Sequence, residues 1–266
     1  MKLYQRDFCT LTPAEQEKWE SIKKKEVVRK SVRFEVRKSS FRDYPKAIRH
    51  YLSLFPNNYL DILELQETER LTSLVEDFVR FVDLRETKER DIIDFVKKNQ
   101  AFFIIGSLLK YRYFEFGHHD AFLFPEFQLG NSYQVDYLIV GRGSGGYQMV
   151  LVELQSPYGS ITISKGNLGS VFRKGLEQID EWDKWIESYY PSLKETFDKY
   201  KKPCAILPDE FYTLDKSRIH YLVIAGRRSD FTDRTYRNRR LKKDVLILHY
   251  DNLIDLARYI INKNTY

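Results

Sequence analysis

The chain has 266 residues, which is enough for one large domain or for a catalytic domain with a small additional one. Its 19 Tyr and 18 Phe can build a sizeable core, and its net charge of +6 permits a polyanionic partner without proving one. The two cysteines, Cys9 and Cys204, are far apart in sequence, which excludes a disulfide framework and a C-x-x-C metal motif. No apolar run is long enough to span a membrane. We expect a cytoplasmic protein without membrane contact.

Residues 1–85 differ in character from the rest of the chain. Residues 32–37 alternate apolar and charged side chains, which predicts a strand with one solvent-facing side. Around it, residues 22–38 hold eight Lys/Arg against two acids. Residues 60–85 carry apolar side chains at helical spacing. We interpret residues 1–85 as a small α+β appendage with a regulatory or interaction role.

From residue 86 onward the pattern predicts a regular succession of elements. The predicted elements are a helix over 88–110, strands over 121–129, 133–140 and 147–154, a helix over 166–188, strands over 219–225 and 244–249, and a helix over 250–262. Asp251 or Asn252 is the expected N-cap of the last helix. The order α-β-β-β-α-β-β-α predicts an α/β domain.

A glycine-rich loop joins the second and third predicted strands. Gly141, Gly143 and Gly146 match the spacing G-x-G-x-x-G of a dinucleotide-binding loop. That fingerprint must follow a strand and open a helix, whereas this loop opens a strand. We therefore interpret residues 141–146 as a hairpin loop, with contact to a DNA backbone as the lesser alternative.

Two carboxylates lie near the ends of the strands that this hairpin joins. Asp136 lies inside the second strand and Glu153 near the end of the third, so the hairpin can bring both to one edge of the sheet. Charges in such apolar runs need a partner. Carboxylates suit Mg²⁺ or Mn²⁺, and the sequence offers no His/Cys set for zinc. The alternative is that both acids pair with buried Lys or Arg.

The residues around these two acids resemble a known nuclease motif. Asp136, followed by Glu153-Leu-Gln155, resembles the P-D…E-x-K signature of restriction-endonuclease-like nucleases, with glutamine in place of lysine. In the following helix, Gln178 and Trp182 resemble the Q-x-x-x-Y motif of RecB-like and lambda-exonuclease-like members, with Trp in place of Tyr.

Longer stretches resemble the nuclease domain of the Shedu anti-phage defence family. They are residues 124–130 running on to Asp136, residues 151–157, residues 223–227 followed by 250–253, and a lead-in helix from Glu89 to Gln100. The resemblance covers roughly residues 86–262 and implies a nuclease domain over 86–266. It also implies a mixed β-sheet flanked by helices, in the restriction-endonuclease-like arrangement.

The resemblance implies an activity and a set of site residues. The activity is Mg²⁺-dependent cleavage of DNA, by an endonuclease that acts in defence against phage and assembles as a homo-oligomer, either a dimer or a tetramer. Asp136 and Glu153 would hold the metal together with the backbone carbonyl of Leu154. Glu126 would be an additional acidic ligand, and Gln178 would orient a ligand or the substrate.

The glutamine at the lysine position is a departure that bears on activity. Lysine would place a positive charge at the site, whereas Gln155 can orient a water molecule but carries no charge. Lys174 is our candidate for a replacement cation, because it precedes Gln178 by four residues and so shares its helix face. Lys165 is a weaker candidate. The competing interpretation is a catalytically weakened DNA-binding or regulatory module with the nuclease fold.

A basic segment near the C-terminus suits nucleic acid. Residues 227–240 hold six Arg, with Phe231 and Tyr236 interleaved. Arginine suits phosphate and aromatic rings suit unpaired bases, although a solvated loop with internal salt bridges would show the same composition. Arg227 directly follows a predicted strand, so we expect it to face the site. The candidate DNA contacts here are Arg227, Arg228 and Arg237.

The pair His118-His119 next to Asp120 admits two interpretations. Adjacent residues in an extended segment point to opposite faces, which favours a turn or a surface cluster over a metal site. A phosphate-contacting role for His118 is the alternative.

Overall fold

The computed structural model describes residues 2–25, 29–30, 35–36, 44–111 and 114–266. The helices are α1 Pro13–Lys25, α2 Pro45–Leu52, α3 Thr68–Asp83, α4 Glu89–Lys98, α5 Phe102–Gly106, α6 Ser170–Tyr189, α7 Leu193–Asp198, α8 Asp233–Arg240 and α9 Tyr250–Ile260. The strands are β1 Arg29–Lys30, β2 Glu35–Val36, β3 Asp120–Leu129, β4 Tyr133–Gly143, β5 Gly146–Leu154, β6 Thr162–Ile163, β7 Asn167–Leu168, β8 Ile219–Ile224 and β9 Val245–Leu248. Apart from β2, the strand predicted over 32–37 lies outside the described residues.

The main sheet has five strands in the order β3-β4-β5-β8-β9. The first three form an antiparallel meander, and β8 and β9 continue the sheet in parallel with β5. The central strand β5 is almost wholly buried because helices cover both of its faces. The predicted mixed α/β sheet flanked by helices is confirmed.

The core has two layers, one on each face of this sheet. On one face, buried residues of α3, α4, α5 and α9 form one cluster with alternate residues of the strands, such as Val150 and Val152. On the other face, α6 and α7 pack against the intervening positions, and Trp182 lies buried there. Apolar side chains of α3 therefore share one core with the sheet, although α3 lies inside the segment that we interpret as an appendage.

The hairpin between β4 and β5 has a two-residue turn. Gly143 pairs with Gly146, so that Ser144 and Gly145 form the connection. Gly146 has φ 102°, a conformation that disfavours side chains with a Cβ. The hairpin interpretation of residues 141–146 is confirmed.

Three details differ from the sequence-based expectation. The predicted helix over 88–110 is broken after α4, because Gln100 has φ 51° and turns the chain into α5. The N-cap of α9 is His249, whose Nδ1 accepts a hydrogen bond from the N–H of Asn252 at 3.2 Å. The helix α8 was not predicted, because it has almost no apolar periodicity and relies on its Thr232 cap.

Within the described ranges, the helices include none that is long and apolar enough to cross a lipid bilayer.

Candidate metal centre

The centre lies at the edge of the sheet where β4 begins and β5 ends. The paired positions of these strands run up to Tyr137 and Val152, so the next step places Asp136 opposite Glu153. There the N–H of Leu154 donates to Asp136 Oδ2 at 2.8 Å, in place of a ladder bond between strands. The hairpin register therefore brings the two predicted carboxylates together.

A third carboxylate joins them from α4. Glu89 is the first residue of that helix, and one oxygen from each of Glu89, Asp136 and Glu153 lies within 4.8 Å of the others. We did not single out Glu89 from the sequence, because an acid in the first turn of a helix is ordinarily explained by the helix dipole. Its place at the start of the lead-in helix was the signal that could have identified it.

Asp136 and Glu153 have no direct cationic partner among the described residues. Neither forms an ion pair with a Lys or Arg of the described ranges, so the alternative of pairing with buried basic residues is not observed there. Burial raises the pKa of Asp136, and Glu89 raises it further. Burial and the neighbouring Asp136 likewise raise the pKa of Glu153, which is 1% exposed. Three carboxylates that converge with a single exposed lysine beside them fit a hard divalent cation such as Mg²⁺ or Mn²⁺.

Gln155 is held tightly beside the carboxylates. Its Nε2 donates to Glu153 Oε1 at 2.7 Å and to Gln178 Oε1 at 3.0 Å. Its backbone is fixed as well, because its N–H donates to the carbonyl of Ile224 and its carbonyl accepts from the hydroxyl of Tyr250. Both amide hydrogens of Gln155 are thus used, which leaves its Oε1 as the group that can accept a hydrogen bond from water.

Helix α6 packs closely against Glu153 and Gln155 of the centre. Lys174 Nζ lies 3.7 Å from Glu89 Oε2 and the side chain is 63% exposed, so this cation lies on the open side. Its charge opposes the rise in pKa of both Asp136 and Glu153. The approach depends on Gly175, because a Cβ there would lie 2.6 Å from Val223 Cγ2 and 3.1 Å from Gln155 Cγ. A mid-helix glycine in the sequence indicates close packing of this kind.

Glu126 interrupts the β3–β4 ladder but engages other partners. It has φ 51° and lies between the paired positions Pro125 and Phe127. Its carboxylate binds Arg90 Nη1 at 2.8 Å and Lys97 Nζ at 3.6 Å, both on α4. The hydrogen bond from Arg90 lowers the pKa of Glu126. The carboxylate trio therefore contains Glu89 rather than Glu126, and Glu126 helps to hold α4 against the sheet.

The three arginines that the sequence predicted as DNA contacts differ in exposure and in ion pairing. Arg227 follows β8 at the same edge, but its guanidinium pairs with Asp251 at 3.0 Å and with Asp83 at 2.5 Å. Arg228 is exposed and pairs with Asp255. Arg237 is exposed on α8.

His118 lies away from the centre. It precedes β3 at the opposite edge of the sheet, where it contacts His119. Six strand residues, or about 20 Å, separate the start of β3 from Glu126. His118 is therefore too distant to contact a phosphate group held at the carboxylates.

The loop after Gln155 is tied to the end of α3. The hydroxyl of Tyr158 lies 3.0 Å from the carbonyl of Val82 and 3.1 Å from that of Asp83. Arg227 also contacts Asp83, so two side chains connect α3 with the end of the sheet that carries the carboxylates. The site is thus supported by an element from the N-terminal third of the chain.

Comparison with known proteins identifies a family. A solved structure titled "Structure of restriction endonuclease FokI bound to DNA" is 14% identical in sequence, with a TM-score of 0.33, and the match covers 85% of this chain and 31% of that chain. No curated protein matches the chain. The family model described as "Shedu protein SduA, C-terminal" matches residues 86–254, which is more than half of the chain. The protein therefore belongs to the family of the C-terminal region of the Shedu protein SduA.

Proposed function

We propose that the protein is a metal-dependent deoxyribonuclease that hydrolyses phosphodiester bonds within DNA. The observation that carries this proposal is the convergence of Glu89, Asp136 and Glu153, with one oxygen of each within 4.8 Å of the others. The centre lies inside the segment that matches the family model. A role in defence against phage, and assembly into a homo-oligomer, follow from the family resemblance and are part of the proposal.

The three carboxylates would hold Mg²⁺, or Mn²⁺, with the backbone carbonyl of Leu154 as a further ligand. When bound, the ion supplies Lewis acidity toward the phosphate and lowers the pKa of the attacking water. The absence of thiol and imidazole groups from the trio favours these ions over zinc.

The side chains around the carboxylates would position the water and the phosphate. Gln155 Oε1 would accept a hydrogen bond from the attacking water, because its amide nitrogen already donates to Glu153 and Gln178. Gln178 thereby fixes which way the amide of Gln155 faces. Lys174, on the open side, would supply the positive charge that the motif ordinarily obtains from lysine at position 155.

The second candidate function is a DNA-binding or regulatory module with weakened chemistry. The uncharged Gln155 favours it, because this position lacks the cation of the family motif. The position of Lys174 beside Glu89 favours an active centre instead.

The decisive experiment measures cleavage of supercoiled, linear and single-stranded DNA in Mg²⁺ or Mn²⁺. We expect the wild type to cut covalently closed circles, which only an endonuclease can do, and EDTA to abolish cutting. Glu153→Ala should be inactive, whereas Glu177→Ala, an exposed residue of α6, should behave as the wild type. Equal cutting by the wild type and Glu153→Ala would refute the proposal that this centre cleaves DNA. A wild type that is inactive with every ion and DNA form would favour the binding module.

A further inference from the structure

A group of unpaired cations lies on α8 and on the turn between β6 and β7. Arg234 and Arg237 are exposed and one helical turn apart, so they project from the same side of α8 about 4.5 Å apart along its axis. Lys165 is exposed at the tip of the turn. Across the described ranges, none of these three side chains has an ion-pair partner. We call Lys165, Arg234 and Arg237 the basic ridge.

The β6–β7 turn packs tightly against α8. A Cβ on Gly166 would lie 2.5 Å from Arg234 Cβ, so the neighbouring Lys165 is next to Arg234. Asn238 Nδ2 donates to the carbonyl of Gly166 at 2.9 Å. Lys165 itself has φ 61°, a left-handed conformation that residues with a Cβ rarely adopt. The backbone positions of the three ridge residues are therefore fixed relative to one another.

The basic ridge is connected to the metal centre through α6. The strand β7 leads directly into this helix, which carries Lys174 and Gln178. The hydroxyl of Thr162 in β6 donates to the carbonyl of Asp230, just before α8, at 2.7 Å. The ridge and the open side of the centre thus belong to one packed set of elements.

The aromatic residues of this segment are not available to stack on bases. Phe231 is 8% exposed and packs edge-on against Phe172 with 5.7 Å between ring centroids. The hydroxyl of Tyr236 lies 3.2 Å from His249 Nε2, and its ring contacts that of Phe231. The exposed chemistry of the segment is therefore positive charge, which suits phosphate and carries no base recognition.

We propose that the basic ridge docks the sugar–phosphate backbone of the DNA substrate, while Arg227 and Arg228 serve as structural ion-pair residues. The proposal rests on the proposed nuclease function, since it names the surface that holds the substrate. Binding through the ridge is independent of base sequence and weakens steeply with salt, because each neutralised phosphate releases bound counter-ions.

The test measures binding of a fluorescein-labelled duplex to the full chain by anisotropy, in EDTA, over a range of salt concentrations. The variant Arg234→Gln/Arg237→Gln should bind roughly tenfold or more weakly and lower the slope of log K against log salt by about 2. Lys165→Gln should lower it by about 1. The matched control Arg80→Gln/Arg258→Gln also removes two exposed arginines, which pair with Asp77 and Glu76. This control should bind the duplex with the same affinity and salt slope as the wild type. A duplex of different sequence should bind to the wild type with the same affinity.

The two proposals fail in different ways. If the ridge variants bind DNA as tightly and with the same salt slope as the control, or if the wild type shows no salt-dependent binding, the ridge is refuted whether or not the protein cuts DNA. If binding depends on the ridge but no metal ion supports cutting, the nuclease proposal is refuted, whereas the proposal that the ridge binds DNA is supported. In an active enzyme, Arg234→Gln/Arg237→Gln should raise KM and leave kcat unchanged, since these residues lie outside the reacting centre.

Discussion

Glu153 is a residue at which folding and the proposed metal binding favour opposite protonation states. Folding buries its carboxyl group beside Asp136, which raises the pKa of Glu153 and favours the protonated form. A metal ion needs the ionised form. In the metal-free protein, the stability contributed by this group is complete below its ordinary pKa of 4.5 and is lost as the pH rises toward the raised value.

Replacing Glu153 by Gln separates these demands. The amide has no charge to desolvate, and its oxygen can still accept from Gln155. In EDTA at pH 8, we expect Glu153→Gln to be more stable than the wild type by about 1–3 kcal/mol, with the difference vanishing near pH 4. Adding Mn²⁺ should raise the melting temperature of the wild type only. Denaturant unfolding at both pH values checks this, and a wild type that is the more stable protein in EDTA at pH 8 would contradict it.

Lys174 should set the pH at which the centre becomes active. Its charge lowers the pKa of Asp136 and Glu153, so its removal raises both values and shifts the acidic limb of the rate profile to higher pH. The shift should be about half a pH unit, because Lys174 is 63% exposed and an exposed pair is worth about 1 kcal/mol or less. We expect Lys174→Ala to lower the rate at pH 7 as well. Lys184→Ala, on the same helix, is the control, and identical profiles would remove Lys174 from the site.

The residues of the centre differed in how far the sequence could predict them. Asp136 and Glu153 follow from the hairpin register, and Lys174 from its helical spacing to Gln178, which are local rules. Gln178 itself was identified through a resemblance to the Q-x-x-x-Y motif. Glu89 could not be found in this way, because the packing of α4 on the sheet decides which of its acids meets the strands. Sequence reasoning expected Glu126 as a metal ligand, and spacing alone gave no indication of its cationic partners on α4.

Among the elements, α6 has the tightest fit to the centre. Gly175 allows this helix to lie close to Val223 and Gln155, because a Cβ here would lie 2.6 Å from Val223 Cγ2 and 3.1 Å from Gln155 Cγ. The sequence predicted the helix over 166–188 but not its first residue, because the small β6–β7 hairpin occupies 162–168. A two-residue strand carries too little periodicity to be detected.

Gly175→Ala should be destabilising although alanine is the better helix former. The added methyl would lie 2.6 Å from a branched, stiff Val223 side chain, so overpacking of about 1–3 kcal/mol outweighs a propensity gain of about 1 kcal/mol. The cleavage rate should fall by more than the loss of folded protein accounts for, because the displaced helix carries Lys174 and Gln178. Thermal unfolding and activity of the folded fraction measure both. Ser188→Ala, near the other end of α6, is the control, and a Gly175→Ala protein with wild-type activity would show that the fit is not needed.

At the scale of the whole molecule, α3 belongs to the core of the sheet. Leu71, Val75, Phe78 and Val82 are at most 1% exposed and pack in the same cluster as strand residues. The boundary at residue 85 stays a prediction, drawn from a change in sequence character and from the limit of the resemblance. A local change in composition cannot predict which helix covers which face of a sheet, because that packing depends on contacts between distant segments.

Native-state hydrogen exchange tests whether α3 is part of one cooperative unit. We expect the amides of α3 to exchange with the same free energy as those of β4 and β5, because α3 shares its buried cluster with the sheet. The described amides of α1 should exchange more readily, since its buried residues Trp19 and Ile22 form a separate small cluster. Exchange of α3 at a distinctly lower free energy than β4 would instead support a separate unit that ends at residue 85.

The hydroxyl of Tyr158 gives this architecture a mechanical consequence. It connects the final turn of α3 with a loop that starts only three residues earlier, at Gln155. One side chain and three peptide units therefore connect α3 with Gln155, whose amide donates to Glu153. The N-terminal third of the chain and the carboxylate trio are thus mechanically coupled through Tyr158, in addition to the contact of Arg227 with Asp83.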